Sequence, residues 1–313
     1  MGLYLARCLA QLVVTGLGIV TVAFFLMRAI PGDPALYMLG DFATEQAVAQ
    51  LRARLGLDLP IWQQYLTFIT NALGGDLGRS VVTGQPVAIE VLRAIPYSLS
   101  LAVAGLAIAV VIGVPLGILS AVRQGTMVDT GIMVGALLGI SFPVFWVGLV
   151  AILFFSSYLG VFPTLGASTS DSLWVRLHHL TLPAVVLGLS LAAYIARLSR
   201  SAMLEVLGQD YVRTARAMGI PERRVIFRLA LRNALIPILA VIGVTFAWAL
   251  GNAILVEVVF SRPGLGSTVL KAILSRDYQL VQAGVLVLAM AVVLINITLD
   301  VLYGFIDPRL RQG

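Results

Sequence analysis

Long uncharged apolar stretches alternate with short polar segments along most of the chain. A helix needs about 20 apolar residues to cross a hydrocarbon core of roughly 30 Å at 1.5 Å per residue. Stretches of that length occur at 8–29, 98–122, 132–158, 180–198, 235–256 and 279–301. They predict six transmembrane helices. The 130–170 region has room for another, but "FPTLGASTS" (162–170) is turn-forming, so one span and an external loop are expected there. The first run, Cys8 to Met27, ends in Arg28-Ala29-Ile30-Pro31 rather than in a small-residue cleavage site. It therefore reads as a retained span and not as a signal peptide.

The segment between the first two spans, 31–96, has a helical pattern of its own. Thr44 can cap a helix carrying Val48, Leu51 and Leu55 on one face, closed by Gly56. Pro60 suits a helix start, and Ile61, Trp62, Tyr65, Leu66, Ile69 and Leu73 follow at helical spacing up to Gly74-Gly75. Pro86 opens a third piece through Val87, Val91 and Leu92. A small helical cap on the outer face is expected. Neither strands nor an internal repeat are evident, so the fold class is an all-α membrane protein, read as a single domain over 1–313.

Composition agrees. Of 313 residues 59% are hydrophobic and 12% charged, against about 25% charged in soluble domains; the mean hydropathy is +0.99. The net charge of +6 comes almost wholly from arginine, because Lys271 is the only lysine. In a membrane protein, cations collect in cytoplasmic loops, and this accounts for the balance without nucleic acid. With both termini inside, the inner segments hold Arg7, Arg123, the seven arginines from Arg200 to Arg232, Arg309 and Arg311, with Arg197 at the membrane edge. The single cysteine, Cys8, can form neither an internal disulfide nor a metal cluster.

Several chemistries are excluded or disfavoured. Lys271 follows Leu270, so no phosphate-binding loop of the Gly-x-x-x-x-Gly-Lys type exists and the chain is not an ATPase of that kind by itself. Pro263-Gly264-Leu265-Gly266-Ser267 lacks the third glycine and the strand context of a dinucleotide fingerprint and reads as an external turn. His178 and His179, the only histidines, are adjacent, whereas zinc-binding helices place them four apart. Ser141 in "GISFP" lacks the second glycine of a nucleophile elbow. The span interiors carry no ionisable group suited to ion coupling; Glu257 and Asp300 lie near helix ends. Thr245, Trp248, Asn252 and Asn296 can line a path for a polar solute or bond between helices. Gly131, Gly135 and Gly139, and Gly113 and Gly117, repeat at a spacing that lets helix backbones approach closely.

One polar segment stands apart. From Arg197 to Arg232 the chain carries eight arginines in 36 residues, interrupted by Gly219 and Pro221. Gly208 separates the fourth span from a short helix, Tyr211 to Met218, which Asp210 can cap. Gly219 stops that helix, and Pro221 prevents its continuation. A second helix from about Glu222 places Arg224, Arg228 and Arg232 at i, i+4 and i+8 as one basic stripe. Attraction to anionic headgroups explains the stripe. It does not explain the capped helix and abrupt turn before it, which suit docking into another protein.

Here the residues resemble a known family. "YVRTARA-G" (211–219) and "LRNALIP" (231–237) are similar to the cytoplasmic EAA loop of ABC importer permeases of the dipeptide/oligopeptide/nickel branch, in particular its B-type transmembrane subunits. The likeness continues through Ile30–Ala35, Leu55–Pro60, Gly75–Ser80, "SFPVFW" (141–146), "VE-VFS-PGLG" (256–266), "RDY" (276–278) and "DPR" (307–309), in order along nearly the whole chain. Arg213 and Arg232 stand where the general EAA pattern has glutamate and proline, departures typical of the peptide branch.

The resemblance implies a type I ABC importer transmembrane domain of six helices. It places Arg213, Thr214, Ala215, Arg216, Ala217 and Gly219, continuing through Ile220, Pro221 and Glu222, in a coupling helix and turn that dock into a cytoplasmic ATP-binding subunit. It further implies a second homologous permease subunit, two ATPases or one fused pair, and an external substrate-binding protein, in a bacterial or archaeal cytoplasmic membrane. ATP and Mg would sit on the partners and no cofactor on this chain. The cargo implied is a di- or oligopeptide, with nickel or metal chelates and glutathione as alternatives.

Overall fold

The computed structural model describes residues 2–29, 34–39, 43–168 and 170–306. The order is α1 (Gly2–Ala29), α2 (Pro34–Leu39), α3 (Glu45–Leu55), α4 (Ile61–Leu73), α5 (Val87–Val122), α6 (Met127–Ser141), α7 (Val144–Tyr158), α8 (Leu173–Leu207), α9 (Asp210–Ala217), α10 (Glu222–Val259), α11 (Leu265–Leu274) and α12 (Tyr278–Ile306). Among the described residues the only extended pairing is an isolated bridge between Arg79 and Pro86.

Among the described residues, four helices are long and apolar enough to cross a membrane: α5, α8, α10 and the Tyr278–Thr298 part of α12. The pair α6 and α7 makes a fifth if it is one span. The first expected span, 8–29, falls on α1, where an apolar stretch is described for Val13–Leu26 only. The side chains of its first residues, including Arg7 and Cys8, lie outside the described residues, as do 30–33, the terminal "DPR" and Arg311.

The expected single span 132–158 is corrected to a bent pair: α6 and α7 meet at 95°. A residue before proline is pushed out of the helical region, and Phe142 takes φ −83° and ψ 129°. Pro143, without an N–H, then begins the next helix rather than continuing the last. Phe142 and Trp146 stack across the corner, with ring centroids 5.0 Å apart. Over Ile152–Tyr158, α7 opens into wider π-type turns.

The chain divides into two compact units. The first comprises residues 1–97 and 263–294. The cap helices form as the pattern predicts: Thr44 accepts a hydrogen bond from the Ala47 amide, and Gly56 closes α3 at φ 65°. The expected third piece is not separate, because from Val87 it runs without a break into the second span. The sequence pattern also missed α11, whose Leu265 and Ala272 join Val87, Val91, Ala94, Leu280, Val281 and Ala283 in one apolar cluster. Asp277 locks this unit. Its carboxylate accepts from the Ser80 hydroxyl at 2.5 Å, the Val81 amide at 3.1 Å and the Leu280 amide at 3.2 Å, so one side chain caps α12 and holds the loop after "GDLG". Two motifs 197 residues apart thus form one contact.

The second unit comprises residues 98–262 and 295–313. Gly113 and Gly117 let α5 reach the backbone of α8: a methyl group on them would lie 2.7 Å from the Ala192 carbonyl and 2.4 Å from that of Ala196. The other glycine repeat behaves differently. Gly139 meets Ala193, but Gly131 and Gly135 meet nothing within 4 Å, so the close approach expected at these two does not occur among the described residues. At one end of the unit, Glu257 is buried and accepts from Ser98 at 2.5 Å. Nearby in sequence, buried Arg262 donates to the Gly166 carbonyl and to the Ser100 hydroxyl.

Candidate functional site

Helix α8 ends at Leu207, with Gly208 as its last cap. Only Gln209 separates that glycine from α9. Asp210 is the first helical residue and not the expected cap: Gln209, in extended backbone at φ −70° and ψ 149°, holds the cap position and makes no side-chain cap bond. Asp210 still places its charge in the first turn, where the helix dipole favours an anion.

The end of α9 is built as the sequence predicts. Gly219 adopts φ 75°, a left-handed conformation that glycine reaches without steric cost. The Ile220 amide donates back to the Ala215 carbonyl at 3.2 Å and the Gly219 amide to the Arg216 carbonyl at 3.0 Å, the two bonds of a Schellman motif. Pro221 then opens α10, which passes through π-type turns at Val225–Ala230 and continues as the fifth span with no break at Asn233–Pro237.

Each face of this hairpin has one job. Val212, Ala215 and Val225 are buried together, with Ile220 and Leu229 packed against them. Asn233 donates to the Tyr211 hydroxyl at 2.8 Å, tying α9 to α10. Of the expected docking residues, Arg213, Thr214, Arg216, Ala217, Gly219, Pro221 and Glu222 are exposed, Ile220 is half-buried and Ala215 is buried. Ala215 therefore holds the hairpin and offers no surface. The Thr214 hydroxyl donates to the Asp210 carbonyl at 2.9 Å.

One contact across the turn was not foreseen. Arg216 donates two hydrogen bonds to Glu222, Nε to Oε2 at 3.1 Å and Nη2 to Oε1 at 2.7 Å. The hydrogen bonds from Arg216 hold the Glu222 carboxyl below its ordinary value of 4.5, and the same bonds raise the guanidinium. A signal was available in the sequence: opposite charges flanking a Gly-x-Pro turn. Beyond it, Pro221, Arg223, Arg224, Phe227 and Arg228 line an open cleft of about 430 Å³. Arg224, Arg228 and Arg232 are all exposed, as the basic stripe requires.

A second fork lies at the short loop between α5 and α6. Arg200 of α8 meets Asp129 of α6 through two bonds of 2.8 Å, Nε to Oδ1 and Nη2 to Oδ2. Ser120 of α5 donates to the same carboxylate at 2.5 Å and the Gly125 amide at 3.0 Å. One buried aspartate thus joins three helices. Sequence reading counted the arginine only toward topology and passed over the acid.

The expected pathway residues are not equivalent. Thr245 is buried and donates to the Val241 carbonyl of its own helix at 2.7 Å, so it lines no open path in this conformation. Trp248 is exposed and stacks on Tyr194, 5.4 Å between centroids, and Asn252 donates to the Trp248 carbonyl at 3.1 Å. The residues weighed for catalysis do not assemble. The Ser141 hydroxyl donates to the Leu137 carbonyl, His178 stacks on Phe162, and His179 Nδ1 contacts the Leu165 carbonyl.

Comparison with known proteins agrees with this architecture. Residues 113–312 match the family model "Binding-protein-dependent transport system inner membrane component", and residues 1–102 match the corresponding N-terminal model. The chain is 42% identical to the di/tripeptide transport system permease protein DppB of Pseudomonas aeruginosa, covering 99% of this chain and 98% of that one. It is 39% identical to the dipeptide transport system permease protein DppB of Escherichia coli K12, with coverage of 99% and 98%. An inward-facing structure of the MetNI methionine ABC transporter shares the fold, with a TM-score of 0.59 at 20% identity over 71% of this chain and 98% of that chain. This multi-pass membrane protein belongs to the binding-protein-dependent transport system inner membrane components, the non-catalytic permease subunits of ABC importers.

Proposed function

We propose that the chain forms half of the translocation pathway for di- and oligopeptides in an ATP-driven importer of the cytoplasmic membrane. The observation that carries the cargo class is end-to-end likeness to relatives named for di/tripeptide and dipeptide transport, at 42% and 39% identity. A second homologous permease completes the pathway. An external binding protein delivers the peptide. Two ATP-binding subunits, or one fused pair, hold ATP and Mg. Both termini and the α8–α10 loop face the cytoplasm, where the arginines from Arg200 to Arg232 give the positive-inside bias.

In this reading α9 and its turn seat in a groove of the ATPase. Nucleotide binding there favours one of two permease conformations, and the difference in affinity between them is what the hairpin transmits. The hairpin suits the task because its outer face is exposed while its inner face is packed. Trp248 and Asn252 are the candidates for contact with the passing peptide.

The test is uptake into proteoliposomes containing the assembled importer and its binding protein. Labelled di- and tripeptides accumulate only with ATP inside, and unlabelled nickel complexes do not compete. Accumulation driven by an ion gradient without ATP, or competition by nickel complexes but not by peptides, would overturn the assignment.

A further inference from the structure

Helix α4 belongs to the cap, yet it is attached to the side of α1 below that helix's end. The Thr21 hydroxyl donates its proton to the Leu17 carbonyl, so the Tyr65 hydroxyl must donate to Thr21, at 2.6 Å. Phe24 meets Tyr65 edge-on at 5.2 Å and Phe68 at 6.1 Å, while Phe25 stacks on Tyr65 at 6.0 Å. Nearer the end of α1, Arg28 lies 3.5 Å over the Phe24 ring and donates to Gln64 Oε1 at 3.0 and 2.8 Å. Thr21 is eight residues, about 12 Å, from Ala29. If α1 is the first span, as the function proposed above requires, Tyr65 lies well inside the membrane boundary that Arg28 marks.

The composition of α4 fits such a position. Its 13 residues, IWQQYLTFITNAL, carry no charge. Trp62 and Leu66, one turn apart, are 60% and 52% exposed, and Ile61 is 53% exposed. Thr67 and Asn71 are exposed well around the helix from that stripe, whereas Thr70 continues it one turn beyond Leu66. Thr70 needs no water, because its hydroxyl bonds the Leu66 and Thr67 carbonyls. The bare apolar face is continuous with that of α1. Val22, Phe25 and Leu26 are exposed there, and the Phe25–Tyr65 stack joins the two surfaces. Tryptophan gathers at the membrane–water boundary, and a helix with one apolar face lies in that plane.

We propose that α4 is an interfacial membrane helix. Its Ile61, Trp62 and Leu66 face contacts phospholipid at the headgroup–acyl boundary of the leaflet on the cap side, so this part of the cap is a lipid-seated foot rather than a water-exposed lid.

The test uses the assembled importer in phospholipid nanodiscs. Cys8 is replaced by serine, and single cysteines at positions 17, 62, 66, 67 and 71 carry a spin label. Peptide uptake confirms that each variant is assembled. The ratio of collisions with oxygen to collisions with a water-soluble nickel complex should be several-fold higher at 62 and 66 than at 67 and 71, and higher still at 17. Equal ratios at 62, 66 and 71 would mean a water-facing helix and overturn the proposal. Shielding of 62 and 66 from both probes would mean that protein covers the face, which also overturns it. A water-accessible label at 17 would remove α1 as a span and the proposal with it, while uptake would still stand as the measure of function.

Discussion

Asp129–Arg200 and Arg216–Glu222 are chemically the same contact, a two-bond fork between guanidinium and carboxylate, set in different surroundings. In the first, the side chains are 26% and 7% exposed for arginine and aspartate. The aspartate also accepts from Ser120 and Gly125, so the pair cross-links α5, α6 and α8. In the second, the side chains are 42% and 54% exposed, and the pair spans a turn of four residues. Breaking a buried pair strands a charge among packed helices, whereas an exposed pair contributes only about 0.2–1 kcal/mol. The first fork therefore serves the scaffold. The second shapes a surface, and its value must be sought in what that surface meets.

The largest effect expected from perturbing this pair of sites is on the scaffold. Asp129→Asn removes the charge that Arg200 requires, and the melting temperature of the purified complex should fall by several degrees. If Asp129→Asn melts as the parent does, the buried fork is not holding the helices.

Arg216→Glu should lower melting by no more than a degree or two, since an exposed pair contributes only about 0.2–1 kcal/mol, yet reduce ATP-driven uptake by about tenfold. The exchanged pair Arg216→Glu with Glu222→Arg rebuilds the fork and should recover most of that uptake. Failure of the exchange would mean that the guanidinium itself contacts the partner. The pH dependence follows from Glu222, whose folded-state carboxyl is held below 4.5. Such a group gives its full contribution above the ordinary value and loses it as pH falls through the lowered one. Uptake should therefore show no loss traceable to this fork between pH 8 and pH 5.

Smaller again is the contrast between two glycines on either side of α9. Gly219→Ala forces a side chain into φ 75° and should cost about 1 kcal/mol, although nothing lies within 4 Å of the added methyl. Gly208→Ala, at φ −79°, should be neutral or slightly stabilising. Equal melting of the two variants would contradict the left-handed turn.

What the sequence made legible follows from the same contrast. Local signals survived folding: the Thr44 cap, the Gly56 and Gly219 stops and the apolar runs of α5, α8, α10 and α12 appear where periodicity and turn chemistry put them. Long-range contacts left no local trace. Asp277 with Ser80 and Asp129 with Arg200 are separated by 197 and 71 residues, and neither member of either pair is unusual in its own segment. The corner at Phe142-Pro143 was in principle readable, but a long apolar run outweighed one proline. Cap and α9 hairpin differ likewise: the hairpin is a short-range structure whose helix, stop and turn were read from the sequence, whereas the seating of α4 on α1 rests on aromatic contacts across more than 40 residues.

The most direct test of the account concerns Ala217, the last residue of α9, exposed and outside both forks. Ala217→Trp adds a large side chain to the face assigned to the ATPase groove without touching the packed side of the hairpin. Uptake and melting should be measured on the same assembled importer. The account predicts an unchanged melting temperature with ATP-driven peptide uptake reduced at least tenfold. Normal uptake in that variant would contradict it, because a surface that admits an indole without consequence is not the one the ATPase grips.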